Sequence, residues 1–192
     1  MPRSFGDAAA WAARFDAPDR DGWQRPAEVI ALMELQPGMT VADLGAGTGY
    51  FLPHLAAAVG AGGATWGLDI EPTLVQWMND RIQREALPSA QARLIPTDAP
   101  GLEPGSADRV LVVNTWHHLS DRAAYTPKLR AALKGGGRLV VVDYTLESEE
   151  GPPKEHRLSA EAVVAELRAA GFTTWIATEA LPRQYVVIGQ AP

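Results

Sequence analysis

The chain has 192 residues, enough for one domain with a substantial core, and 46% of them are hydrophobic. Acidic residues outnumber basic ones by 23 to 17, and the net charge of −6 argues against a nucleic-acid groove or an anionic membrane surface as the main partner. With no cysteine, disulfides, Cys-ligated zinc and Cys nucleophiles are excluded together. The first residues, Met1 to Asp7, lack the apolar stretch of a signal peptide, and no apolar run approaches membrane-spanning length. These features predict a cytoplasmic protein.

An Ala-rich helix is expected over Ala8 to Phe15, followed by a polar turn from Asp16 to Gly22. Pro26 suits the first position of a helix that Pro37-Gly38 terminates. From Met39 strands and helices alternate. Strands are expected at about 39–44, 64–69, 92–95, 107–114 and 138–143, with helices at about 49–59, 71–86 and 120–133 between them. Pro127 predicts a kink or break in the last of these, and Gly135-Gly136-Gly137 its end. A polar loop from Thr145 to Arg157 leads to Ser159, a plausible cap for a helix reaching Ala170. Two final strands, about 173–177 and 184–188, are close enough for an antiparallel hairpin. Such alternation implies parallel strands joined by right-handed crossovers.

The most informative stretch is Asp43-Leu44-Gly45-Ala46-Gly47-Thr48-Gly49-Tyr50. An apolar strand ends in a carboxylate, a glycine-rich turn follows, and a helix begins. Glycines serve where backbone turns sharply or lies against a ligand, and free N–H groups at the helix start can hold a carboxylate or phosphate. The dinucleotide fingerprint wants its third glycine one position later than Gly49, and a P-loop would need Lys and Ser/Thr. Asp43 would repel a pyrophosphate and attract an amino group.

On these residues the chain resembles the class I S-adenosylmethionine (SAM)-dependent methyltransferases, whose strand-tip acid and D-x-G-x-G-x-G loop bind the amino-acid part of SAM. The resemblance covers about residues 39–189. It implies a three-layer α/β Rossmann-like fold with a mostly parallel seven-stranded sheet and an antiparallel C-terminal hairpin strand. Residues 1–36 would form an N-terminal helical cap on a SAM-binding core of residues 37–192, in one domain. Asp43, Gly45, Ala46, Gly47, Gly49 and Tyr50 would form the cradle. Asp69 would hold both ribose hydroxyls, with Ile70 beside it, although it also suits a helix N-cap. Thr97, Asp98 and Ala99 would meet the adenine. Asn114 and Thr115 would face the sulfonium and methionine portion. The cofactor would be SAM, its product S-adenosylhomocysteine, with no metal.

Methyl transfer from a sulfonium needs alignment and exclusion of water, with a general base only for a nucleophile of high pKa. His117 and His118 are the base candidates, although one could pack on the cofactor and the other open a helix. His156 is a second candidate, in a polar loop, and His54 reads as structural. Asp143 has no clear partner for a metal site. Trp11, Phe15, Trp23, Gln24, Trp116 and Tyr144 are possible walls of an acceptor pocket between the N-terminal segment and the loop 145–158. The Asn114-Thr115-Trp116-His117 stretch lacks the prolines of exocyclic-amine nucleic-acid methyltransferases. The expected reaction is direct SN2 transfer to an O, N or C nucleophile of a small molecule, by a monomer or homodimer. The alternatives are a protein methyltransferase, a non-catalytic SAM-binding protein and an NAD(P) oxidoreductase.

Overall fold

A computed structural model describes residues 8–179 and 181–192, so the reading of Met1 to Asp7 lies outside the described residues. Three helices come first, α1 (Ala8–Phe15), α2 (Arg20–Gln24) and α3 (Pro26–Met33). The alternating part follows as β1 (Thr40–Leu44), α4 (Leu52–Val59), β2 (Ala64–Asp69), α5 (Pro72–Arg84), β3 (Ala90–Leu94), β4 (Ala107–Val113), α6 (Arg122–Ala132) and β5 (Leu133–Tyr144). The chain closes with α7 (Ala160–Ala169), β6 (Thr173–Ile176) and β7 (Gln184–Gln190).

The seven strands lie in the order β3-β2-β1-β4-β5-β7-β6. β1 to β5 pair in parallel, and β7 runs antiparallel to both β5 and β6. This is the expected Rossmann-like architecture with its antiparallel hairpin. Side-chain alternation gives each sheet face its own core. Val41, Leu111, Val140 and Val142 pack towards Val29 and Met33 of α3 and Leu55 and Val59 of α4. Ala42, Val110, Val112 and Val141 pack towards Leu129 of α6 and Val163 and Leu167 of α7. Burial on both faces explains why β4 and the 139–142 part of β5 read as continuous apolar runs. The chain moves outward from β1 to β3 and returns to β4, so the order reverses between β1 and β4. Ligands of open α/β sheets bind at the carboxyl ends of the strands flanking such a reversal.

Three expectations need correction. The Asp16 to Gly22 segment is not all turn, because Arg20 begins α2, whose residues find partners across the molecule. Pro127 does not break α6, which runs through it; in the same turn the Thr126 hydroxyl donates to the Arg122 carbonyl at 2.6 Å. Gly135-Gly136-Gly137 lies within β5 as an irregularity where the pairing with β4 shifts register, Gly136 having φ +72°. Ser159 does cap α7, accepting from the Ala162 N–H at 3.2 Å.

Candidate active site

The loop from Gly45 to Phe51 leaves the carboxyl end of β1 at the reversal point. Gly45, Gly47 and Gly49 have φ of +71°, +58° and +77°. A Cβ on Gly45 would come within 2.4 Å of the Thr115 side chain, and one on Gly49 within 2.8 Å of Leu52. The first N–H groups of the loop are turned into the protein. Those of Gly45 and Ala46 donate to the Leu68 carbonyl at 2.8 and 3.0 Å, and that of Gly47 donates to Asp69 Oδ2 at 2.9 Å. The three are spent inside the protein, so they are not available to a phosphate.

Beneath this loop Asp43 is buried, and no hydrogen bond to its carboxylate occurs among the described residues. Burial raises its pKa from 3.8 to about 7; the Arg20 charge opposes the rise and the Asp69 charge adds to it. A buried carboxylate with so little compensation could hold a cation. Asp69 sits beside it at the tip of β2. It accepts from Gly47 and, at 3.0 Å, from the Glu71 N–H at the start of α5, and burial raises its pKa against these backbone bonds.

Asn114 ends β4 in the left-handed region, φ +53°, and the neighbouring Thr115 hydroxyl donates to the Val113 carbonyl at 3.0 Å and the Gly45 carbonyl at 3.3 Å. The structure thus gathers Asp43, Gly45, Ala46, Gly47, Gly49, Asp69, Asn114 and Thr115 into one group. Thr97, Asp98 and Ala99 follow β3, two strands out, and Ile70 is exposed at the tip of β2. Lys128 donates to the Asp98 carbonyl at 2.6 Å and lies 3.9 Å from its carboxylate.

The N-terminal helices close over this end of the sheet. Asp16 accepts from the Thr48 hydroxyl at 3.0 Å and from Arg81 at 3.2 Å, while Arg81 also donates to the Thr48 carbonyl at 2.9 Å. Tyr50, expected in the cradle, donates its hydroxyl to Asp21 and lies under the Arg20 guanidinium, 3.8 Å from ring centre to Cζ. Arg20 donates to the Phe15 carbonyl and to Gln24 Oε1, leaving its buried Nε without a partner. From Gln24 a chain of amides crosses the fold. Gln24 Nε2 donates to Gln184 Oε1 at 2.8 Å, and Gln184 Nε2 donates to Asn114 Oδ1 at 2.6 Å. Gln24 is therefore a buried tie, not a pocket wall. Trp116 is likewise no wall: it is in the core, its indole N–H donating to Glu166 at 2.8 Å. Phe15 covers Gly47, and Trp23 stacks on Tyr144 with ring centres 6.3 Å apart.

His117 follows β4 in a short 3₁₀ turn from Trp116 to His118. Its Nδ1 lies 2.9 Å from both carboxylate oxygens of Asp143, and its backbone N–H donates to the same group at 3.3 Å. Asp143 also accepts from the Tyr144 N–H at 2.8 Å. Asp143 thus has a hydrogen-bond partner in His117, a pairing the sequence reading did not foresee. An ionised carboxylate can only accept, so this contact has Nδ1 donating, and in the neutral imidazole Nε2 is then the acceptor nitrogen. His118 is exposed with its ring 4.1 Å from that of His117, His156 is exposed in a 3₁₀ turn, and His54 packs near Tyr50 and Phe51. A shallow groove lined by Val164, Ala165, Trp175 and Ile176 lies at the β6 edge and holds none of these groups.

Residues 42–139 match the model of a methyltransferase domain family. The chain belongs to the class I SAM-dependent methyltransferases. It is similar to an uncharacterised methyltransferase of Mycobacterium tuberculosis, 32% identical over 158 residues, which is 81% of this chain and 58% of that protein. A ubiquinone/menaquinone biosynthesis C-methyltransferase, UbiE, of Burkholderia cenocepacia is 26% identical over 60% of this chain and 47% of that protein. The chain spans between 32% and 58% of the length of such curated relatives. In fold it is similar to a SAM-dependent methyltransferase of Aquifex aeolicus, with a TM-score of 0.90 and 24% identity over 97% of this chain and 99% of the other. Among the described residues of this methyltransferase, no helix is long and apolar enough to cross a membrane.

Proposed function

We propose that the chain is one methyltransferase domain that binds SAM at the β1–α4 loop and methylates a small-molecule acceptor by direct displacement. The observation that carries this reading is the pairing of a buried, undonated Asp43 with a glycine loop whose first N–H groups point into the protein. That combination fits an ammonium group and takes three N–H donors of the loop away from a dinucleotide's pyrophosphate. Asp43 would hold the amino group, and Gly45, Ala46, Gly47, Gly49 and Tyr50 would shape the cradle. Asp69 and Ile70 would meet the ribose, Thr97, Asp98 and Ala99 the adenine, and Asn114 and Thr115 the methionine portion.

The bound cofactor supplies an electrophilic methyl group on a sulfonium. The chain's own residues then do three things. The cap, latched by Asp16 and Arg81, excludes water from the carboxyl end of the sheet. Trp23 and Tyr144 offer flat walls for the acceptor. Asp143 fixes the His117 ring so that Nε2 can take the acceptor's proton, which makes His117 the base in preference to His118. Similarity to a C-methyltransferase supports keeping carbon among the acceptor atoms beside oxygen and nitrogen.

Calorimetry with SAM, S-adenosylhomocysteine and NAD tests the reading. Binding of the first two without NAD is the expected result, and binding of NAD alone would refute it. Methyl transfer from labelled SAM to an acceptor library then separates an enzyme from a binding protein.

A further inference from the structure

The sheet ends at β6, and this edge is built unlike the opposite one. Hydrogen-bonded pairs alternate along an antiparallel ladder. The Ala177 N–H donates to the Val186 carbonyl at 2.9 Å, continuing the register that pairs Trp175 with Ile188. Thr173 and Trp175 therefore spend their backbone groups on β7, and those of Thr174 and Ile176 point out of the sheet. Proteins blunt such edges with charges, prolines or bulges. The other edge strand, β3, carries Arg93. β6 reads Thr173-Thr174-Trp175-Ile176, without charge or proline, and Ile176 is 44% exposed.

α7 borders the same edge. Val163 and Leu167 face the core, which leaves Glu161, Val164, Ala165 and Arg168 on the outer face, at i, i+3, i+4 and i+7 spacing. These four share one open groove with Trp175 and Ile176. Arg168 donates to the Thr174 hydroxyl at 2.8 Å, which ties the helix stripe to the strand. Neither Glu161 nor Arg168 makes an ion pair among the described residues.

Strand and helix are self-complementary about one common point. A second copy of the chain, paired antiparallel along β6 about a two-fold axis through Trp175, sets each Thr174 opposite the other copy's Ile176. Those two residues hold the outward N–H and C=O groups, so both pairs close with two hydrogen bonds each. The axis stands perpendicular to the sheet, so the two α7 helices lie side by side on one face and run antiparallel. Their stripes match under the same rotation: Val164 meets Ala165, and Glu161 meets Arg168, on each side of the axis. An apolar centre is flanked by two complementary ion pairs.

We propose that β6 and α7 form a homodimer interface, through which two copies of this chain join their sheets edge to edge. The carboxyl ends of β1 to β5 then point in opposite directions in the two copies, and neither β1–α4 loop is covered. The inference is independent of the acceptor's identity.

The test is analytical ultracentrifugation of the native protein across micromolar concentrations, where a species of twice the chain mass is expected. Glu161→Arg sets like charges against each other at both ion pairs and should weaken the dimer at least about tenfold; Arg168→Glu should do the same. An equimolar mixture of the two variants rebuilds both pairs in a heterodimer and should regain the native affinity within about threefold. Ile176→Lys puts a charge on the strand edge and should also yield monomers. The Thr174 and Ile176 amides should exchange with solvent at least about tenfold more slowly in the native dimer than in the Glu161→Arg monomer. A native protein that stays monomeric at the highest concentration reached would overturn the proposal. So would a dimer indifferent to Glu161→Arg and Ile176→Lys, folded charge variants that do not recover on mixing, or amides of equal exchange rate. Circular dichroism checks that each variant is folded. If Arg168→Glu does not fold on losing its bond to Thr174, Glu161→Arg and Ile176→Lys still decide.

Discussion

The two halves of the site are built in contrasting ways. The cradle half comes from one contiguous stretch, Asp43 to Tyr50, joined by Asp69 from the next strand. The proposed acceptor half is assembled from α2, the turn after β4, the end of β5 and the start of β7, and Gln24 meets Gln184 across 160 residues. A locally encoded half can be read from spacing, because one strand–turn–helix unit fixes it. A half made of distant single residues is specified only by the tertiary fold. The same difference predicts how each half should fail when altered.

The largest effect is expected at His117. Replacing it with Asn, or Asp143 with Asn, should lower kcat by about 10²-fold or more while leaving SAM affinity near its original value. Stopped-flow or steady-state kinetics beside calorimetry would show the split; equal losses in binding would make the pair part of the cradle. Asp43→Asn should do the reverse, weakening SAM binding by about 10²-fold through loss of a charge-assisted contact.

The same substitution should stabilise the free protein. The folded pKa of Asp43 is about 7 against an ordinary 3.8, so the folded state holds the proton more tightly than the unfolded chain. Ionising it costs stability progressively as pH rises from about 4 to about 7, and the cost is constant above that. The Tm advantage of Asp43→Asn should therefore open across that window and then level off. In the native protein, SAM affinity should rise with pH up to about 7, because an ammonium needs the ionised acid. A flat binding profile would show that the cation reaches Asp43 already ionised.

A smaller effect is expected from the buried amide chain. Gln184→Leu leaves Gln24 and Asn114 without their partner and should cost about 1–3 kcal/mol, read as a lower Tm. It should also raise KM for the acceptor more than for SAM. The smallest effect is expected for Arg81→Gln, which loosens the latch on Asp16 and Thr48 by about 1 kcal/mol and should be visible as faster hydrogen exchange in α1.

The sheet order, the glycine loop and the strand-tip acids were legible because apolar runs and glycine spacing are local signals. The short α2 was not, since Arg20-Asp21-Gly22-Trp23-Gln24 has the composition of a turn and becomes helical with its side chains docked. Gly135-Gly136-Gly137 looked like a helix terminator because nothing local shows that β4 pairs on both sides of it. Arg20, Asp143 and Gln184 carried no motif. For Asp143 a signal did exist, a single acid at the end of an apolar strand, but its partner could come only from the neighbouring strand's turn. That the N–H groups of Gly45, Ala46 and Gly47 are taken by Leu68 and Asp69 was not legible either, because those acceptors lie one strand away.

The link between Gln24 and Gln184 also sets an order of assembly. During synthesis α2 is made before every strand of the sheet and β7 after the other six. The cradle strands β1 and β2 can pair long before that, but α2 has no buried amide to dock on until Gln184 arrives and β7 inserts beside β5. The cap is thus an early segment that must wait for a late one. A ribosome-bound chain that has not yet made β7 would present a cradle without a closed acceptor side.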